Sequence, residues 1–180
     1  MAGFLFLIAL NIKPFAMILF AYASNMNVDE FAKTVPSAKK IAKAKLPGYS
    51  LVFNKTSEDG SSKVNIIASV EPDACVWGVL IEYQDNEKGN FFNPTGWSSD
   101  FELIPVNCVD EKGEVHKAEA FTAKPHAVND FLLPYDWYQA KILKLIREQG
   151  FPKEYVTSIS LMPHKVDPDE RRRARKMGKL

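Results

Sequence analysis

The stretch "MILFAYASNMN", residues 17–27, admits two incompatible readings. In one, "AYA" (residues 21–23) followed by Ser24 is a small-x-small cleavage site at the end of a secretory signal. In the other, "MILFAYA" is a buried strand that delivers a polar loop, "SNMN", to a binding pocket. The first reading discards these residues from the mature protein, and the second places them at its functional centre.

The flanking sequence weighs on that choice. Upstream, "GFLFLIAL" (residues 3–10) is apolar, but no Lys or Arg precedes it, whereas a signal peptide begins with a basic region. A membrane span needs roughly 20 apolar residues, and Lys13-Pro14 interrupts this run near its middle. Membrane contact through residues 3–22 is therefore not expected. A third reading takes Met17 as the start and residues 1–16 as an apolar appendage.

Bulk properties describe an ordinary globular chain. Its 180 residues are most simply one domain, and 46% hydrophobic with 25% charged residues is a composition able to build a core. A formal net charge of +1 gives no overall field that would favour nucleic acid. Cys75 and Cys108 are too few for a disulfide scaffold and lack metal-ligand spacing, so both read as reduced side chains of a cytoplasmic protein. His116, His126 and His164 are scattered, and no metal is expected.

Downstream of residue 27, Asp29 is placed to cap a short helix that Val35-Pro36-Ser37 ends. "YSLVFNKTS", "VNIIASV", "CVWGVLIEY", "FELIPVNCV" and "HKAEAFTA" read as strands, with Asp59-Gly60 at one tight turn. Between the third and fourth, "QDNEKGNFFNPTGWSSD" is a polar loop carrying aromatics. "PYDWYQAKILKLIREQGFP" is the clearest helix, with Trp137, Ile142, Leu145 and Ile146 on one face and Gly150 and Pro152 at its stop. A second helical piece, "KEYVTSISLM", follows, and the charged tail "DPDERRRARKMGKL" reads as a solvated terminus. Several strands with helices near the two ends argue an α+β fold rather than alternating βαβ units.

Four segments in order resemble the gamma-glutamylcyclotransferase family. "FAYASNM" (residues 20–26) is similar to the family's Tyr-Gly-Ser-Asn strand-loop signature. "LPGYSLVFNKTSEDGSSKVNI" looks like the strand, turn and strand that follow it. "VWGVLIEY" resembles the strand before the catalytic segment, and "PYDWYQAKILKLIREQGFPKEYV" the C-terminal helix. The resemblance covers roughly residues 17–160 and implies a curved mixed sheet or barrel with flanking helices. Residues 17–163 then form the domain, 1–16 the appendage and 164–180 the tail. On this basis "MILFAYA" is the first core strand; export or membrane association through the apolar N-terminus is the alternative.

The resemblance also implies a reaction. The free α-amine of a γ-glutamyl compound attacks its own γ-carbonyl, closing a lactam and releasing 5-oxoproline and an amine or amino acid. Ring closure is intramolecular, so no cofactor is implied. Main-chain N–H groups around Ala21, Tyr22, Ala23, Ser24 and Asn25 are expected to hold the carboxylate and the developing oxyanion, with Tyr138 lining the same pocket. The family's general-base glutamate falls, counted without gaps, on Thr95, whose hydroxyl cannot serve as a base near neutrality. Asp100 is the candidate for a displaced base, with Asp85 and Glu87 in the same loop. Ala23 replaces the signature glycine, and Phe101 replaces a family tyrosine. Activity is therefore left open between an enzyme using a displaced base and a non-catalytic binder of γ-glutamyl or other small carboxylate ligands. The partner expected is such a small molecule, with no nucleic acid; a homodimer stays open.

Overall fold

The structure, a computed structural model, describes residues 15–96 and 98–180. The expectations for residues 1–14 lie outside the described residues. The strand reading of residues 17–23 holds in its main part: β1 spans Ala16–Ala21 and ends in complete burial. Its neighbour is β5 (Cys75–Gln84), whose nearly unbroken apolar run fits a strand covered on both faces.

β5 pairs on its other side with β2 (Lys39–Pro47), which pairs with β6 (Phe101–Asp110), and β6 with β7 (Val115–Ala123). β7 returns to β1 in parallel, Leu19 opposite Glu119 and Phe20 opposite Ala120, closing a five-stranded barrel. Closure leaves this sheet without a free edge. β3 (Tyr49–Thr56) and β4 (Ser62–Ala68) form a separate ribbon whose tight turn contains Gly60 at φ +80°.

β2 is the strand to which the sequence reading assigned no element. Lysine and alanine have low strand propensity, yet "AKAKL" alternates: Ala44 and Leu46 are buried while Lys45 faces out. Tertiary pairing with β5 supplies what propensity lacks. The short helix α1 (Val28–Ala32) forms where expected, but its cap is Asn27, whose side chain accepts the Glu30 N–H at 3.1 Å, rather than Asp29. α2 (Lys88–Phe91) is one turn within the polar loop.

α3 (Asp136–Glu148) buries Trp137, Ile142, Leu145 and Ile146 and ends before Gly150, at φ +68°, where glycine's freedom is needed. α4 is Lys153–Ser160. The tail departs from the solvated reading by forming α5 (Glu170–Met177), capped by Asp169. Arg172 reaches both oxygens of buried Asp167 at 2.6 Å, and Arg173 reaches Asp136 at 2.6 Å. Acids outside the basic run thus dock two of its arginines. Among the described residues, no helix is long and apolar enough to cross a membrane.

Candidate functional site

A cavity of about 520 Å³ opens where β1 leaves the barrel. Its wall includes Ala21, Tyr22, Ala23, Ser24 and Asn25, and across from them Tyr138 from the first turn of α3. After Ala21 the chain turns through one 3-10 turn, Ser24–Met26, closed by Met26 N–H to Ala23 C=O at 3.0 Å. The N–H groups of Ser24 and Asn25 begin this turn, so its own hydrogen bonds leave them free to donate. Ala23 adopts φ −129°, so alanine in place of the signature glycine carries no left-handed penalty.

The two tyrosines have different duties. Tyr22 is buried and donates its hydroxyl to the Phe121 carbonyl on β7 at 2.7 Å, which fixes the loop to the barrel. Burial, with Tyr138 and Tyr155 nearby, raises its pKa far beyond any working range. The Tyr138 oxygen instead accepts the Val64 N–H from β4 at 3.3 Å, leaving its own proton for the cavity. Burial pushes its pKa up to about 12, so it is a neutral donor.

The third wall comes from the 84–101 segment, but not through the residue that the count selected. Ser98, buried, and Phe101 line the cavity together with Asn90 and Phe91. Thr95 does not; it is exposed on a turn, where its N–H and hydroxyl both lie 3.3 Å from Asn93 Oδ1. Asp100 is also outside the wall. Its carboxylate meets Lys55 Nζ at 2.8 Å and His126 Nε2 at 3.4 Å, and hydrogen bonding from Lys55, ahead of His126, lowers its pKa. Asp85 accepts the Phe15 N–H and Glu87 accepts the N–H and hydroxyl of Ser37, so both are turned to other work.

Lys63 and Val64 on β4 also line the cavity, as do Phe31, Thr34 and Phe121, and the sequence reading missed them. Lys63 was legible only as a polar residue after a hairpin turn; nothing in its neighbours foretold a wall position. Among the described residues, one group has metal-ligand proximity, Asp110, Glu114 and His116 at the β6–β7 turn. There Asp110 already accepts the N–H groups of Lys112 and Glu114 and contacts His116 at 2.9 Å, which accounts for the cluster without an ion.

The closed five-stranded barrel with its flanking helices gives this chain the fold seen in solved γ-glutamyl cyclotransferase structures. A solved structure described as a gamma-glutamyl cyclotransferase matches with a TM-score of 0.72 at 21% identity, covering 90% of this chain and 99% of the other. An uncharacterized protein from Homo sapiens matches at 0.71 and 21% identity, over 87% of this chain and 96% of that one. A yeast γ-glutamyl cyclotransferase described as specific to glutathione matches at 0.59 and 11% identity, over 82% and 94%. No family model matches the sequence, and no curated protein does. At these identities the likeness is one of fold.

Proposed function

We propose that the protein binds small carboxylate ligands of the γ-glutamyl type in this cavity and does not cyclise them by the carboxylate-base route. What carries this reading is the chemistry of the wall. The main-chain donors of the 21–25 loop and the Tyr138 hydroxyl suit an anion, while no carboxylate lines the cavity among the described residues.

Cyclisation requires the ligand's ammonium to lose a proton before its nitrogen can form the new C–N bond to the γ-carbonyl. The titratable groups in the wall are Tyr22, Tyr138 and Lys63. Both phenols are held protonated by burial. Burial, ahead of Arg172 and Lys176, lowers the pKa of Lys63 against the opposing pull of Asp59, and its ammonium is spent on the 2.7 Å ion pair with that carboxylate. None is a carboxylate, so the wall offers no group for the carboxylate-base route. The fold comparisons support the ligand class, since solved cyclotransferases share this architecture.

The test uses purified protein with γ-glutamylalanine, read by calorimetry for binding and by chromatography for 5-oxoproline. Binding without product is expected, and Thr95→Glu is expected to add no turnover because residue 95 lies outside the wall. Product formation by the unaltered protein would establish the enzyme reading instead. Absence of both binding and product would remove the cavity from γ-glutamyl chemistry.

A further inference from the structure

Lys63 is the one charged side chain in the cavity wall among the described residues, and its surroundings fix it in place. Its Nζ donates to Asp59 Oδ2 at 2.7 Å and to Ser61 Oγ at 2.8 Å. Asp59 is itself held, because its Oδ1 accepts both the N–H and the hydroxyl of Ser61. The turn that carries these residues is tied down by Tyr135, whose hydroxyl donates to the Asp59 carbonyl at 2.9 Å. Lys63 is thus a positioned cation and not a flexible surface lysine.

Its remaining surroundings are aromatic. The ammonium sits 4.8 Å from the ring centre of Tyr138, which lines the cavity, and 4.9 Å from that of Trp137. Those faces displace water from the ammonium without neutralising it. An ammonium has three N–H donors, and Asp59 and Ser61 use two of them. Arg172 and Lys176 of α5 add positive field, enough to contribute to the lowering of the Lys63 pKa. A negatively charged group entering this end of the cavity meets one unused donor in partly dry surroundings, where a charge-assisted hydrogen bond is worth more than at an open surface.

We propose that Lys63 sets the specificity of the site: it takes a second anionic group of the ligand, so the cavity selects small molecules with a carboxylate at each end over those with one. This rests on the binding reading above, in which the 21–25 loop takes the first carboxylate. A ligand whose far end is neutral leaves the third Lys63 donor unmatched, and a cationic far end is repelled.

The experiment compares γ-glutamylglycine with γ-glutamylglycinamide, which match in size and differ in the charge of the far end. Calorimetry on the unaltered protein is expected to show at least about tenfold tighter binding of the glycine compound, the ratio shrinking as salt rises. Lys63→Gln is expected to bring the ratio close to one, and Lys63→Arg to retain most of it. Equal affinity of the unaltered protein for the two compounds would overturn this proposal while leaving the binding reading intact. A preference that survives in Lys63→Gln would also overturn it. If the unaltered protein binds neither compound, the binding reading fails and this one falls with it.

Discussion

At the scale of single residues, the Asp59–Lys63 pair gives the protein a measurable pH signature. Burial alone would raise the Asp59 pKa, but hydrogen bonds from Lys63 and Ser61, with the Lys63 charge, bring it down to about 2 from an ordinary 3.8. Arg172, ahead of Trp137 and the Asp169 N–H, holds Asp167 lower still. A depressed folded-state pKa means that the unfolded chain takes up its proton first as pH falls. The stabilising contribution is therefore complete above about pH 5 and is lost as pH drops through about 4 towards 2. Urea midpoints measured across that interval are expected to fall, and to fall less steeply in Asp59→Asn. Parallel curves for the two proteins would show that the pair is too well solvated to matter.

At the scale of elements, β5 is where packing is least forgiving. Gly78 lies opposite Ala44 of β2, and a β-carbon there would stand 2.5 Å from the Ala21 carbonyl oxygen and 2.7 Å from the Phe20 ring. The first neighbour is backbone at the end of β1, so relief would displace the strand that leads into the cavity loop. Gly78→Ala is expected to cost about 1–3 kcal/mol, the range for overpacked cores, read as a lowered urea midpoint. An unchanged midpoint would mean that β1 and β5 can part without loss. Elements with strong local signals were legible in the sequence: β5 as an apolar run, and α3 from its face of Trp137, Ile142, Leu145 and Ile146. β2 and α5 were not. Lysines hid the alternation of the first, and one of the two acids that dock the second, Asp136, lies 37 residues back along the chain.

At the scale of the molecule, the cavity joins parts that are distant in sequence, which explains how it was read. The 21–25 loop and Tyr138 came from contiguous motifs. Lys63, Ser98 and Phe121 reach the wall only through the placement of the ribbon, the loop and β7, which no spacing records. Counting without gaps put Thr95 at the family's glutamate position, whereas the cavity wall does not include it and a turn holds it against Asn93. The ribbon's placement depends on a buried tie. Asn65 on β4 is 1% exposed; its Oδ1 accepts the Ala123 N–H of β7 at 2.8 Å, and its Nδ2 donates to Asn54 at 3.0 Å. Thr122 adds a bond from its hydroxyl to the Ile66 carbonyl at 3.1 Å. Asn65→Ala leaves the Ala123 N–H and the Asn54 oxygen buried without those partners, at about 1–3 kcal/mol for each. Because Lys63 and Val64 precede Asn65 on the same strand, ligand affinity is expected to fall together with the urea midpoint. A variant that lost stability but bound γ-glutamylglycine as tightly as before would show that the loop and Tyr138 hold the ligand without the ribbon.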